Sequence, residues 1–524
     1  MNKVQPASLW SALLWVAPAG CDYPASASTP IELVAPGRSD PLKIQHGRHA
    51  IYSLMCVFSA LTCVDAAPLF AQTEKTNFIV VLIDDMGWSD LSCFGNQTVQ
   101  TENIDRLAKD GIRFTNFYVN APICSPSRTA FTTGQYPQRW RISSVLSNRK
   151  DNVRRGMANW LEPGAPTLAR ILKAAGYSTG HFGKWHMGGQ RDVGEAPLIA
   201  EYGFDASLTN FEGLGPRLLP LCDAHDGNPP KKHGLGSDKL GNGPITWVDR
   251  EKITEGFVDQ AIEFIDQSQR SGRPFYVNLW PDDVHSPFFP PESLRGDESK
   301  RALYHGVLKN MDQQLGKLFD FVRSSDELRE NTLILLCSDN GPEPGAGSAL
   351  PLRGHKTNLY EGGIRSPLVV WGPAFIEEKK RGLTNYENYF CALDITRSLA
   401  NIAGLKLDSD IALDGEDISA TLLGLQHRSR NAPIYWRRPP DRPGTDQEDY
   451  PDLAMRDGKW KLLCEYDGSD PQLYDLIADR SETKNLAESQ MAIVEKMFDK
   501  LAEWHQSMPA DRGPELESEL ALEN

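Results

Sequence analysis

The fold of this chain is decided by residues 78–87, which read FIVVLIDDMG. Six consecutive apolar residues, most of them β-branched, are typical of a strand that is buried on both faces of a parallel sheet. Similar apolar runs occur at residues 275–280, 333–337 and 368–371. These runs predict the central strands of one large sheet.

Amphipathic helices are predicted between these strands. Their apolar faces are formed, in a shorter helix, by Leu168, Ile171, Leu172 and Ala175, and in a longer one by Leu303, Val307, Met311, Leu315, Leu318 and Val322. Strands that alternate with helices in this way predict a doubly wound α/β domain.

The last part of the chain has a different pattern. Residues 453–456 and 459–464 flank an Asp457-Gly458 turn, which predicts a β-hairpin and an antiparallel sheet. We therefore expect a catalytic domain at 75–425 and a smaller α+β subdomain at 426–510. The acidic tail, residues 511–524, is expected to be disordered.

The charge balance limits the partners of the protein. The chain has 524 residues, enough for a large core, with 55 Lys and Arg against 70 Asp and Glu and a formal net charge of -15. A nucleic-acid binder needs a basic face, so no nucleic-acid partner is expected. An anionic substrate would have to be held by local cations, for which the candidates are Arg128, Lys184 and Lys356.

Residues 1–74 are interpreted as a leader. The apolar stretch 50–64 follows Lys43 and Arg48 and leads to Ala66-Ala67, which is the pattern of a secretory signal. It is too short to span a membrane stably. We expect an exported protein, periplasmic or secreted, whose natural start lies downstream of Met1. The alternative is a disordered N-terminal extension that contains an apolar run.

Oxygen ligands follow two of the predicted strands. Asp84 and Asp85 come directly after the strand at 78–83, and Asp339 and Asn340 follow the strand at 333–337. The carboxyl ends of parallel strands lie at one edge of a sheet, where open α/β folds bind their ligands. Three carboxylates at one edge would repel one another without a cation. All-oxygen ligation predicts one Ca²⁺ ion there, with Mg²⁺ as the alternative.

Three further segments carry candidate catalytic side chains. Lys184 and His186 lie two residues apart after a predicted strand, so an extended segment would place both on one side. His285 follows the strand at 275–280, and Lys356 precedes a glycine-rich turn that can bring it close to a ligand. Taken singly, each would more often be a solvated lysine or a surface histidine.

The segment from Cys124 to Gly134 indicates a class of reaction. It reads CSPSRTAFTTG and resembles the sulfatase signature C-x-P-S-R-x-x-L-x-T-G, with Phe131 in place of the usual leucine. Pro126 and Ser127 predict the opening of a helix, whose backbone N–H groups would face an anion near Cys124. A buried structural cysteine beside a helix start is the alternative reading of Cys-x-Pro alone.

The resemblance implies that Cys124 is converted to Cα-formylglycine by a formylglycine-generating or sulfatase-maturating enzyme. The hydrated aldehyde would act as the nucleophile: one hydroxyl attacks sulfur, and loss of the proton from the other expels sulfate and restores the aldehyde. A thiolate would leave a thiosulfate-type adduct without an easy release. Of the nine cysteines, three lie in the leader; with Cys124 converted, five remain, enough for at most two disulfides.

Together these segments resemble the type I sulfatases of the alkaline-phosphatase superfamily over residues 75–490. The resemblance implies a large doubly wound, mixed or parallel sheet between helices, with a smaller C-terminal antiparallel subdomain. It also implies roles for individual residues. The calcium ligands would be Asp84, Asp85, Asp339, Asn340 and modified Cys124; Arg128 and Lys184 would hold the formylglycine and the sulfate, His186 would be the base, and His285 and Lys356 would contact the sulfate and its leaving oxygen.

The resemblance implies an arylsulfatase-like sulfuric ester hydrolase that releases alcohol and sulfate. We expect a sulfated carbohydrate as substrate, with aryl sulfates as artificial substrates. Residues 189–250, rich in glycine, proline and charge, are expected to form substrate loops. Tryptophans and acids there and near Trp436 would suit sugar stacking and hydroxyl contacts. The alternatives are a phosphoester or phosphonate monoester hydrolase of the same superfamily and an inactive carbohydrate-binding relative.

Overall fold

The apolar run at 78–83 forms the middle strand of a large sheet. The computed structural model describes residues 75–210, 212–223, 228–407, 411–439 and 450–511. Within these ranges the large sheet contains, in chain order, β1 Asn77–Ile83, β2 Ile112–Tyr118, β3 Ser178–Gly183, β4 Ala206–Thr209, β5 Arg217–Cys222, β6 Lys231–Lys232, β7 Ile245–Asp249, β8 Phe275–Trp280, β9 Thr332–Ser338, β10 Arg365–Trp371, β11 Thr384–Asn385 and β12 Phe390–Cys391.

The sheet is mixed, with a parallel centre. Its strand order is β11-β2-β10-β9-β1-β8-β3-β4-β5-β6, with β12 beside β2 and β7 beside β5. β1 pairs in parallel with β8 and β9, and β3 pairs in parallel with β8 and β4. The run at 368–371 was expected to be another parallel strand, but β10 is antiparallel to both β9 and β2. Burial makes a strand apolar in either direction, so this composition carries no directional information.

Helices cover both faces of the sheet. They are α1 Glu102–Asp110, α2 Cys124–Thr133, α3 Arg149–Arg154, α4 Leu168–Ala174, α5 Ile253–Arg270, α6 Lys300–Ser324, α7 Asp326–Asn331, α8 Glu361–Ile364, α9 Ala392–Ile402, α10 Ser419–Leu422 and α11 Met491–Ser507. Along β1, alternate residues enter two cores: Phe78, Val80 and Leu82 face one, which includes α4 and α9. Ile79, Val81 and Ile83 face the other, which includes α1, α5 and α6.

The segment 189–250 is more ordered than its composition predicts. Its described residues contribute β4 to β7, which extend the large sheet on one side. These strands have two to six residues and are separated by glycines and prolines, so no long apolar run marks them. The expectation of loops throughout this segment was therefore wrong.

A second, smaller sheet forms near the end of the chain. Its antiparallel strands, in order, are β13 Ile434–Arg437, β14 Leu453–Asp457, β15 Trp460–Cys464 and β16 Gln472–Asp475, which confirms the predicted hairpin. Trp436 is fully buried and its Nε1 donates a hydrogen bond to the Val119 carbonyl at 2.7 Å. The expectation that Trp436 stacks on a sugar was wrong, because it belongs to the core that joins this sheet to the large one.

Several expectations concern residues that the structure does not describe, or features that it does not test. No helix in the described ranges is long and apolar enough to cross a bilayer. The leader at 1–74 and residues 512–524 of the acidic tail lie outside the described residues, as do positions 211 and 224–227 of the expected substrate loops. The six cysteines in the described ranges are all unpaired. The division of the chain at residues 425 and 426 stays a prediction.

Candidate active site

The ends of β1 and β9 form the floor of the site. Ile83 and Ser338 are paired in the parallel register of the two strands, so the residues that follow them emerge side by side. The backbone N–H of Asp85 donates to Asp339 Oδ1 at 3.1 Å. Asp85 has a φ of 60°, which ordinary residues rarely adopt, so the two strand ends are tied together at some conformational cost.

Four side chains at this edge fit a divalent cation. Carboxylate oxygens of Asp84, Asp85 and Asp339 all lie within 4.8 Å of one another, and the three residues are fully buried. The Asn340 amide donates to Asp85 Oδ1 at 2.7 Å, whereas its Oδ1 is buried and accepts no hydrogen bond from the described residues. An orphaned carbonyl oxygen beside three carboxylates is the donor set of a hard cation such as Ca²⁺ or Mg²⁺.

Cys124 is the first residue of α2 and faces the same carboxylates. Its Sγ lies 3.8 Å from Asp85 Oδ1. Burial, and then the charge of Asp84, raise the pKa of the Cys124 thiol well above its usual range. The predicted helix opening is present and begins two residues before Pro126, so the N-terminal turn of α2 is directed at this cysteine.

Arg128 lies one helical turn further along α2 and neutralises two of the carboxylates. Its Nη2 contacts Asp84 Oδ1 at 3.1 Å and Asp339 Oδ2 at 2.7 Å, and its Nη1 donates to the Lys184 carbonyl at 2.8 Å. Although burial opposes ionisation of Asp84, Lys184 and Arg128 hold the pKa of that carboxyl well below its usual range. The guanidinium also lies 5.3 Å from the centre of the Trp280 ring.

Lys184 and His186 follow β3 and share a carboxylate that the sequence did not reveal. Lys184 Nζ lies 2.7 Å from Asp84 Oδ2 and 3.6 Å from Glu212 Oε2, and His186 Nδ1 lies 3.1 Å from that same Glu212 oxygen. His186 has a φ of 54°, so the segment is not extended as predicted. Glu212 follows the short strand β4, and no motif in the sequence marked it.

His285 and Lys356 both contact Asp85, whereas Lys184 contacts Asp84. Lys356 Nζ lies 2.6 Å from Asp85 Oδ2, and His285 Nε2 lies 3.7 Å from the same oxygen. The other His285 nitrogen, Nδ1, lies 2.7 Å from the Ser286 carbonyl. Burial, followed by the charges of Lys184 and Lys356, lowers the pKa of His285. The side chain is 28% exposed, so it is accessible from solvent.

The structure therefore brings all of the candidate site residues into one cluster. Asp84 and Asp85 stand at its centre, and every other member contacts one of them directly or through Glu212 and Lys184. The members are Asp84, Asp85, Cys124, Arg128, Lys184, His186, His285, Asp339, Asn340 and Lys356. Their individual roles stay predictions.

Such a cluster can bind a small tetrahedral anion next to the side chain at position 124. Arg128, Lys184 and Lys356 supply positive charge, and the first turn of α2 presents backbone N–H groups. His285, beside Asp85, and His186, beside Glu212, add two imidazoles that can accept or donate protons. These groups are those required to cleave an anionic ester.

Comparison with known proteins identifies the ester. The family model described as Sulfatase matches residues 76–405. Arylsulfatase A of Bos taurus is 31% identical over 82% of this chain and 86% of its own length. N-acetylgalactosamine-6-O-sulfatase of Bacteroides thetaiotaomicron is 28% identical over 82% of this chain and 93% of its own.

A solved structure agrees with these relatives. The crystal structure of Ps i-CgsB in complex with k-i-k-neocarrahexaose superposes with a TM-score of 0.67 at 25% identity, covering 82% of this chain and 93% of that chain. The large mixed sheet, the small antiparallel sheet and the anion-binding cluster thus occur in a chain whose relatives are sulfuric ester hydrolases. This chain belongs to the sulfatase family.

Proposed function

We propose that this sulfatase depends on a divalent cation and on a formylglycine at position 124, and that it removes sulfate from a sulfated carbohydrate. The observation that carries the proposal is the position of Cys124, which begins α2, contacts Asp85 and lies beside the carboxylate cluster. A nucleophile formed there would lie between the metal ligands and the cations that bind the ester.

Conversion of Cys124 is supported by the segment around it. Residues 124–134 keep the residues of the sulfatase signature apart from Phe131, which is buried and packs 6.1 Å from the Phe117 ring. The Cys124 side chain is fully buried in the folded protein. We therefore expect the formylglycine-generating or sulfatase-maturating enzyme to act before the chain has folded around it.

The cationic side chains of the site are proposed to bind the substrate. Lys184 and Lys356 lie 2.7 and 2.6 Å from Asp84 and Asp85, and their ammonium groups are the ones proposed to bind the sulfate ester beside the nucleophile. His285, which is partly exposed, is the residue proposed to donate a proton to the leaving oxygen. Arg128 orients the carboxylates and the side chain at position 124.

His186 is the base proposed to release sulfate. One hydroxyl of the hydrated aldehyde gives up its proton to solvent and forms a bond to sulfur, while the bond from sulfur to the alcohol oxygen breaks and that oxygen takes a proton from His285. His186 then removes the proton from the second hydroxyl, its electron pair forms the carbonyl, and the bond between carbon and the sulfate oxygen breaks. The aldehyde is regenerated, and sulfate leaves with the electrons of the broken bond. Addition of water to the aldehyde then restores the hydrate for the next turnover.

The proposed metal ligands are Asp84, Asp85, Asp339, Asn340 and the modified side chain at position 124. We propose Ca²⁺, with Mg²⁺ as the alternative, because all of these donors are oxygens. When bound, the cation would polarise the nucleophile and neutralise charge on the ester.

The carbohydrate substrate is proposed from the relatives. One is named for a 6-O-sulfated N-acetylgalactosamine, and the structural neighbour was solved with neocarrahexaose. For cellular location we propose export to the periplasm or the exterior, on the basis of the predicted signal at residues 50–64.

The proposal is tested with protein made together with a maturation enzyme. We expect turnover of 4-nitrophenyl sulfate and of 6-sulfated N-acetylgalactosamine, and a tryptic peptide spanning Cys124 that has the mass of formylglycine. Faster turnover of 4-nitrophenyl phosphate than of the sulfate would instead support the phosphoester hydrolase. Carbohydrate binding without turnover of any ester, by protein that carries formylglycine, would support the inactive relative.

A further inference from the structure

Glu212 is a buried carboxylate at the edge of the proposed active site. It is 6% exposed and follows β4, the strand that extends the sheet beyond β3. Its backbone carbonyl accepts a hydrogen bond from the His186 N–H at 2.8 Å, and its Oε2 lies 3.1 Å from His186 Nδ1. Glu212 thus holds His186 through both the backbone and the side chain.

The two nitrogens of the His186 ring have different surroundings. Nε2 lies 3.3 Å from the Leu146 carbonyl, an acceptor, so the neutral ring is best accommodated with its hydrogen on Nε2. Nδ1 then carries the lone pair. It is buried and has no hydrogen-bond partner within the described ranges, although Glu212 Oε2 is close by. Nδ1 is therefore the basic atom of this ring.

Charged groups around the ring act in opposite directions. Burial, and then Lys184 and Arg128, lower the pKa of His186, whereas Asp84 and the Leu146 carbonyl raise it. Burial raises the pKa of the Glu212 carboxyl; Lys184, Arg191 and Arg128 oppose this effect and Asp84 adds to it. A base placed among these cations needs a neighbouring carboxylate to accommodate the positive charge that it acquires.

We propose that Glu212 is a positioning residue for His186, and that its carboxylate, 3.1 Å from Nδ1, stabilises the imidazolium formed when His186 takes the proton from the sulfated side chain at position 124. The proposal rests on the role given to His186 in the proposed function. In this role Glu212 does not contact the substrate. The residue acts in the second half of the reaction, in which sulfate is released.

The test uses the matured, metal-loaded enzyme and the substitution Glu212→Gln, which keeps the shape of the side chain and removes its charge. We expect kcat for 4-nitrophenyl sulfate to fall about tenfold to a hundredfold, as for other residues that orient a catalytic group. We also expect covalently sulfated enzyme to accumulate in intact-mass spectra. Glu255→Gln, an exposed position on α5, is the control and should match the wild type.

The pH profile separates this role from a merely structural one. Loss of the carboxylate makes Nδ1 less basic, so the acidic limb of the kcat profile should move to lower pH in Glu212→Gln. Glu212→Asp keeps the charge and should leave that limb near its wild-type position, even if its rate is reduced. This second variant also decides the matter if Glu212→Gln does not fold.

Three results would overturn the inference. A wild-type kcat and pH profile in Glu212→Gln, with His186→Ala inactive, would remove the role of Glu212 and leave the proposed function intact. A raised KM with unchanged kcat would make Glu212 a substrate-binding residue instead. Wild-type turnover in His186→Ala would refute the proposed base, and the role of Glu212 with it.

Discussion

Asp85 is the side chain on which the geometry of the site depends most. Its carboxylate contacts the Asn340 amide, the Lys356 ammonium, the His285 ring and Cys124 Sγ. Its backbone conformation, with φ of 60°, costs about 1–3 kcal/mol for a residue other than glycine. A single strained residue thus brings together groups from the segments after β8 and β9, from α2 and from the loop before α8.

Cys124→Ala tests the nucleophile. We expect turnover to fall to background, because alanine cannot be oxidised to an aldehyde, while the start of α2 is preserved. The free energy of unfolding should change by about 1 kcal/mol, the usual size for a small core substitution. Cys337→Ala, a buried cysteine within β9, is the matched control and should keep turnover. Activity like the wild type in Cys124→Ala would rule out the formylglycine mechanism.

Substitution of the two histidines should slow different steps of the reaction. His186→Ala should slow the release of sulfate and let covalently sulfated enzyme accumulate, which intact mass spectrometry detects. His285→Ala should slow the first step, with a larger loss for a sugar sulfate than for 4-nitrophenyl sulfate, since a poor leaving group depends more on proton donation. Each loss should lie at about a hundredfold to ten-thousandfold.

Equal losses on both substrates, without a trapped intermediate in either variant, would contradict this division of roles. The sulfatase assignment would stand, because it rests on the family and not on the individual roles.

At the scale of elements, the sequence predicted the strands that are buried on both faces of the large sheet. Residues 78–83 and 275–280 were found as strands because all of their positions are buried and all but Asn278 are apolar or aromatic. The candidates that follow β1, β8 and β9 lie together because the ends of these parallel strands meet at one edge of the sheet. Glu212 was missed because β4 has only four residues and no periodic pattern. Trp436 was misread because nothing local distinguishes a buried tryptophan from a sugar-binding one.

A buried group of charges joins the small sheet to the loop that carries Lys356. Lys461 on β15 contacts Glu361 Oε1 at 3.0 Å and Glu482 Oε1 at 2.8 Å, and all three side chains are inaccessible to solvent or nearly so. Glu361 begins α8, five residues after Lys356, and also accepts a hydrogen bond from Tyr118 at 2.6 Å. The small sheet therefore contributes to the rigidity of one wall of the site.

Lys461→Met should destabilise the protein strongly. It leaves two buried carboxylates without their shared cation, and breaking a buried ion pair from one side costs about 3–5 kcal/mol. The control is Lys459→Met, because Lys459 pairs with Asp475 at 2.6 Å but is 45% exposed. A surface pair of that kind contributes about 0–1 kcal/mol. Similar denaturant midpoints for the two variants would show that the buried cluster does not stabilise the fold.

At the scale of the whole molecule, a net charge of -15 surrounds a site that must attract an anion. The conflict is resolved locally, since Arg128, Lys184 and Lys356 are concentrated around two aspartates. These same contacts show that the cations are partly neutralised by the carboxylates beside them. A divalent ion among Asp84, Asp85 and Asp339 would offset those carboxylates and restore a net positive field for sulfate.

Removal of the metal should therefore abolish activity and lower stability together. We expect a chelator to inactivate the enzyme and Ca²⁺ to restore it better than Zn²⁺, because the ligands are oxygens. An ion present at a hundred times its Kd stabilises the native state by about 2.7 kcal/mol, so the melting temperature should fall on chelation. Asp84→Ala and Asp339→Ala should lose both the ion and turnover, whereas Asp259→Ala, on the exposed face of α5, should keep both. Full activity in protein shown by elemental analysis to be free of metal would refute the site. Arg128, Lys184 and Lys356 would then be sufficient to balance the buried carboxylates without an ion.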